Sequence, residues 1–166
     1  MNTFFELIIF SIVIGIGATI VMDVYGLIMR LLFNIPPLDM GLVGRWIGHF
    51  KHGVFSHRTI LQAENIKGER IIGWIAHYLI GISFAFLLLL IWGVAWVYKP
   101  TFLPALAIGV LTTIAPWFMM QPAFGFGIAA SKTPNPSQAR FRSLKAHTIY
   151  GIGLYLSAVL LSMIIS

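Results

Sequence analysis

The chain has 166 residues; 58% are hydrophobic on a count that leaves out its 16 glycines, and only 10% are charged. Average soluble domains run at roughly 45–50% apolar and about 25% charged. Five carboxylates and eleven Lys and Arg cannot clothe a soluble core of this size, so the composition points to an integral membrane protein. The same figures exclude a disordered, collagenous or coiled-coil chain, and the absence of Cys removes disulfides, iron–sulfur clusters and thiolate zinc sites.

Four stretches are long enough to cross a hydrocarbon layer of about 30 Å, which takes about 20 helical residues. Backbone groups find no partner in lipid, so spans of this length are helices and the expected fold class is all-α. The first span is expected over residues 4–33, with Leu7 to Met22 free of charge. Its start, Met1-Asn2-Thr3-Phe4-Phe5-Glu6, lacks a basic n-region and a small-residue cleavage site, and reads as a retained helix rather than a signal peptide.

Asn34-Ile35-Pro36-Pro37 ends that helix, because proline cannot continue it. In the loop that follows, residues 34–70, Asp39 is placed to cap a short amphipathic helix. Met40, Val43, Trp46, Ile47 and Phe50 gather on one side of its wheel and Arg45, His49 and His52 on the other, with Gly53 as the stop. Such a helix is expected to lie in the membrane interface. His49, His52 and His57 could be drawn as a zinc set, but solvated histidines among headgroups are the simpler reading.

The second span, residues 71–98, contains no Asp, Glu, Lys or Arg. A short turn leads to the third, residues 101–130, where Pro104, Pro116 and Pro122 are expected to kink the helix and Gln121 lies at a candidate hinge. Residues 131–137 form a Pro-rich turn in which Ser137 could cap the fourth span, 138–165. Arg140, Arg142 and Lys145 then stand at the positive end of that helix's dipole, an arrangement an anion would relieve. With Arg45 and His49 they are candidates for binding anionic phospholipid headgroups or a phosphate. Charge that serves only to orient the chain is the plainer alternative.

Ten of the eleven positive charges sit in or beside two loops: Arg30, Arg45, Lys51, Arg58, Lys67 and Arg70 at the first, Lys132, Arg140, Arg142 and Lys145 at the third. Only Lys99 is left for the other side. The positive-inside rule makes those loops cytoplasmic and both termini external. The charges are dispersed and no nucleic-acid motif accompanies them, so a nucleic-acid partner is not expected.

Ala76-His77-Tyr78-Leu79-Ile80-Gly81-Ile82 matches Ala146-His147-Thr148-Ile149-Tyr150-Gly151-Ile152 at Ala, His, Gly and Ile, and Met22-Asp23 answers Met120-Gln121 more weakly. The pattern predicts a four-helix transmembrane bundle of two parallel-related hairpins. Depth agrees with it. Counting from the outer edge, 17 residues separate Glu6 from Asp23, 22 separate Lys99 from His77, 21 separate Pro100 from Gln121 and 19 separate Ser166 from His147. At about 1.5 Å per residue all four lie roughly 25–33 Å from the outer surface.

Ionisable groups at that depth are expected to face the bundle interior, to pair with one another and to be functional, although an interhelical hydrogen bond that only fixes packing would look the same. Three chemistries fit Asp23, His77, Gln121 and His147: a proton site, a metal ion on His77, His147 and Asp23, or haem between His77 and His147. A carboxylate and an amide in one layer favour small polar ligands, which puts a proton or a metal ion ahead of haem. No nucleophile–base pair is legible, so an enzyme is not the leading expectation.

Gly17-Ala18-Thr19-Ile20-Val21-Met22-Asp23, Leu42-Val43-Gly44-Arg45-Trp46-Ile47-Gly48-His49, Gly73-Trp74-Ile75-Ala76-His77-Tyr78 and Met120-Gln121-Pro122-Ala123-Phe124-Gly125 resemble a bacterial membrane family known as domain of unknown function 2938 (DUF2938). So does Ala129-Ala130-Ser131-Lys132-Thr133-Pro134, continuing to Ser143-Leu144-Lys145-Ala146-His147. The resemblance implies a four-helix protein of the bacterial inner membrane and brings no activity with it. The expected function is a small transport or ligand-handling protein that binds a proton, metal ion or anionic amphiphile, working as a homodimer. A haem-binding electron-transfer protein and a ligand-free accessory subunit are the alternatives.

Overall fold

The computed structural model describes residues 3–165. Met1 and Asn2, at the start of the expected first helix, and Ser166, from which the depth of His147 is counted, lie outside them. The described residues contain helices, turns and loops and no strand. The main helices are α1 (Thr3–Phe33), α2 (Met40–Gly48), α3 (Glu69–Trp92), α4 (Phe102–Leu111) and α5 (Pro136–Ile165). Four segments are long and apolar enough to cross a membrane: α1, α3, Phe102–Ala123 and α5. The chain itself buries only 22–33% of their most apolar windows, leaving residues such as Leu31, Leu103, Met163 and Ile164 uncovered.

The chain divides into two compact units, residues 1–37, 78–112 and 145–166 in the first and 38–77 with 113–144 in the second. In the first, Phe10, Ile14, Ala18, Ala85, Leu88, Leu89, Ile108, Leu154 and Ala158 form the core. Many of these are small, and glycine brings the helices closer still. A Cβ on Gly15 of α1 would fall 2.5 Å from the Ile82 Cα of α3, and one on Gly109 of α4 would fall 2.5 Å from the Gly151 Cα of α5. Gly81 and Gly151, the matched glycines of the sequence repeat, thus each lie at a close helix crossing. Such close approach of backbones lets helices associate through van der Waals packing where little hydrophobic drive is available. The Tyr150 hydroxyl, buried, donates to the Gly81 carbonyl at 2.6 Å.

The second span is shorter than expected. Gly93 takes φ 80, which L residues rarely adopt, and α3 stops at Trp92. Residues 94–98 form a 3₁₀ turn that buries Val94, Trp96 and Val97, with the Trp96 indole N–H donating to Thr101 Oγ1 at 3.2 Å. At the other end α1 stops as expected: Asn34 turns left-handed at φ 55 and the Ile35 N–H returns to the Met29 carbonyl at 3.1 Å.

In the second unit the Asp39 carboxylate accepts from the Gly41 N–H at 2.8 Å, capping α2. A 3₁₀ turn over His49–His52 extends the helix to Gly53, which closes it at φ 71. The helix and its stop match the sequence reading, but the apolar face does not lie open to lipid. Val43 packs with Ile60 and Phe124, both fully buried, and Met40, Trp46 and Ile47 join them. Each such buried side chain contributes about 1.5–3 kcal/mol. The Trp46 ring meets Phe124 edge-on at 5.8 Å and its indole N–H donates to the Phe55 carbonyl at 2.7 Å.

The third span ends at Ala123 rather than near Ala130, and it is broken within. After a turn at Thr112 and Thr113, residues Pro116–Met120 form a π-helical turn closed by the Gln121 N–H on the Pro116 carbonyl. Pro116 has no N–H for the ordinary bond four residues back, which opens the ladder at this point. The fourth helix starts at Pro136, two residues before the expected 138, so Ser137 lies in its first turn instead of capping it. Pro136 occupies its first position and Asn135 Oδ1 faces the Gln138 N–H at 3.4 Å.

Candidate functional site

Of the four residues expected to share a layer, Asp23 and His147 belong to the first unit and His77 and Gln121 to the second. In the first unit, Tyr78 on α3 donates its hydroxyl to Asp23 Oδ2 at 3.0 Å. His147 on α5 places Nδ1 3.0 Å from the Thr112 hydroxyl at the end of α4. That same hydroxyl reaches the Gly109 carbonyl at 2.8 Å. A carbonyl can only accept, and the hydroxyl has one hydrogen to give. With that hydrogen on Gly109, Thr112 Oγ1 is left to accept from His147 Nδ1–H, and such an imidazole, when neutral, has its lone pair on Nε2. Asp23 and His147 are thereby each oriented by a hydroxyl on a neighbouring helix. Sequence reasoning singles out neither Tyr78 nor Thr112; the place of Tyr78 beside His77 is the one available hint.

Lys145, two residues before His147 and expected to face headgroups, has its ammonium 5.8 Å from the centroid of the Tyr25 ring, within the range of a cation–π contact.

In the second unit, His77 meets the Trp74 ring edge-on at 5.5 Å. Gln121 is 8% exposed, and its Oε1 has no hydrogen-bond partner. Thr113 Oγ1, Trp117 Nε1 and His57 Nε2 are likewise buried without a partner. The His57 N–H donates to the Ala123 carbonyl at 2.8 Å, which fastens the first loop to the end of the third span. Burial, and secondarily the charge of His49, hold the His57 imidazole below its ordinary pKa. The His49 ring stands 4.9 Å from that of His57 and 6.4 Å from that of His52. Among the described residues no three His, Asp or Glu side chains form a group that could hold a metal ion.

The candidate headgroup cations prove to be partly engaged by the protein. Arg45 forms a bidentate pair with Glu69 and also donates toward the Ile60 carbonyl at 3.3 Å. The hydrogen bonds that Arg45 donates to Glu69 raise the arginine's pKa against the opposing effect of burial. His49 Nε2 lies 2.9 Å from the Glu64 carbonyl. Arg140 Nε donates at 2.7 Å to the carbonyl of Ala129, itself held at φ 47, while Arg142 is exposed.

The chain belongs to the family described as protein of unknown function (DUF2938), whose model matches residues 12–161. Neither a curated protein nor a solved structure matches the chain.

Proposed function

We propose that this DUF2938 protein is a small multi-pass protein of the bacterial inner membrane that takes up and passes on a proton at Asp23 and His147. The observation that carries the reading is the Thr112 hydroxyl between Gly109 and His147. A histidine that only filled space would need no assigned tautomer, whereas one that accepts a proton needs a defined lone pair. Nε2 takes the proton, and Nδ1–H stays donated to Thr112. Asp23 is the second station, with the Tyr78 hydroxyl stabilising its carboxylate.

The uncovered apolar faces of four long helices support insertion in a bilayer, and the ten cations in and around the two loops support a cytoplasmic placement for them. Both termini are then external, and Asp23 and His147 lie toward the cytoplasmic side. Arg140 and Arg142 face anionic phospholipid headgroups. Two copies pair to complete the proton path.

The test is proton flux into liposomes that contain the purified protein and an internal pH dye, driven by a potassium diffusion potential. Wild type collapses the imposed gradient, and Asp23→Asn and His147→Phe each slow the collapse at least about tenfold, in line with the cost of losing a positioned acid–base group. Equal flux in wild type, both variants and empty liposomes removes the reading.

A further inference from the structure

Thr113, Trp117 and Gln121 recur at intervals of four along the broken part of the third span, and each carries a buried polar atom without a partner: Oγ1, Nε1 and Oε1. Thr113 is 2% exposed and Gln121 8%. Most buried polar groups in folded proteins are satisfied, because one left without a partner loses its hydration and gains nothing in return. Three on one short segment are therefore a cluster that needs an account. The π-helical turn over Pro116–Met120 lies within it, and such turns recur at functional sites.

We propose that Thr113, Trp117 and Gln121 bind a neutral molecule bearing at least two hydroxyl groups, of the glycerol type. The three atoms set the chemistry. An indole N–H only donates, an amide oxygen only accepts, and a threonine hydroxyl does either. A ligand hydroxyl can accept from Trp117 and donate to Gln121, as neither a carboxylate nor an ammonium can do. All three groups are uncharged, and a buried charge without a partner would be far costlier than a hydroxyl. Residues 113 and 121 are separated by roughly 12 Å of helix rise, too far for one hydroxyl to serve both ends. A free polyol from solution and a glyceride from the membrane present the same diol chemistry.

The two sources can be separated with the full-length protein in phosphatidylcholine nanodiscs, its tryptophans labelled with ¹⁵N at the indole and the Trp117 resonance assigned by Trp117→Phe. One arm adds glycerol, the other raises the fraction of monooleoylglycerol, which presents two free hydroxyls in the bilayer. A saturable shift of the Trp117 indole resonance is expected in at least one arm, and the arm that responds identifies the source. Gln121→Leu should abolish the shift. Thr113→Val, which keeps the shape and removes the hydroxyl, should weaken the apparent affinity about tenfold and serves as the test if Gln121→Leu does not fold. No shift in either arm overturns the site, as does a shift that rises linearly without saturating or is unchanged in a folded variant. The readout is independent of proton flux, so this site and the proton stations can fail separately.

Discussion

Arg45 and Glu69 meet as a two-pronged ion pair across 24 residues of sequence, Nε to Oε2 at 2.9 Å and Nη2 to Oε1 at 2.8 Å. The pair sits where α2 crosses the start of α3. There, a Cβ on either Gly44 or Gly73 would collide with the other helix's backbone, at Glu69 and Met40 respectively. Glu69 Oε2 also accepts the Ile66 N–H at 3.0 Å, so one carboxylate orders the end of the loop and the crossing together. Both side chains are mostly out of solvent, at 13% and 20% exposure.

Arg45→Lys keeps the charge but loses the fork geometry and the donor toward Ile60. The expected loss is about 1–3 kcal/mol, the range for hydrogen bonds to a charged group, read as a lower midpoint of thermal unfolding in detergent. Glu69→Gln should be of similar size. The exchange Arg45→Glu with Glu69→Arg should recover part of the loss; a double variant no better than the worse single one would show that the pair does not act as a unit.

The glycines offer a contrast within one helix. Gly15→Ala drives a methyl into the Ile82 backbone, whereas Gly26→Ala meets only Pro37 side-chain carbon at 3.4 Å. Overpacking costs about 1–3 kcal/mol, while an unobstructed Gly→Ala change inside a helix gains up to about 1 kcal/mol. Gly15→Ala should therefore lower the unfolding midpoint and Gly26→Ala leave it unchanged or raise it. Equal effects of the two would deny that the α1–α3 crossing depends on glycine.

What the sequence discloses and what it withholds divide along physical lines. The stop at Asn34 to Pro37, the Asp39 cap and the Gly53 terminator are local backbone signals and appear where they are expected. Gly93 is also local, but a glycine in an apolar run signals only freedom, not its use. The cover over α2 is not legible, because an apolar face reads alike whether lipid or Phe124 meets it. In the candidate site the ionisable residues stand out by rarity. Their partners do not: a tyrosine at 78 or a threonine at 112 is ordinary in an apolar helix, and pairing arises only from contacts 55 and 35 residues apart.

His57 gives the first loop a pH response of definite sign. Its imidazole titrates lower in the folded protein than the ordinary value of 6.5, because burial, and then His49, disfavour the cation. Between the two values the unfolded loop binds more protons than the folded one, so stability is full above about 6.5 and declines as pH falls toward the folded value. Limited proteolysis within residues 53–59 should accelerate as pH is lowered from about 7.5 to about 5, normalised to the protease's activity on an unstructured peptide. His57→Gln should flatten the profile and His49→Gln should reduce its slope. A flat wild-type profile would refute the assignment.

The hydroxyl at Thr112 predicts a spectroscopic state. With its hydrogen donated to Gly109, it can only accept from His147, so the imidazole is held as the Nδ1–H tautomer. Neutral histidine side chains in water exchange between the two tautomers and favour Nε2–H, and the ¹⁵N shifts of the two ring nitrogens distinguish the forms. In bilayer samples above pH 8, selectively labelled His147 should show Nδ1 protonated and Nε2 bare. Thr112→Ser keeps the hydroxyl and should keep the tautomer, whereas Thr112→Val should populate the Nε2–H form. If proton transfer runs through Nε2, Thr112→Val should also slow proton flux, because the lone pair then faces the valine instead of the incoming proton. A wild-type His147 in the Nε2–H form would invert the proton assignment at Thr112 and with it the direction in which His147 can be charged.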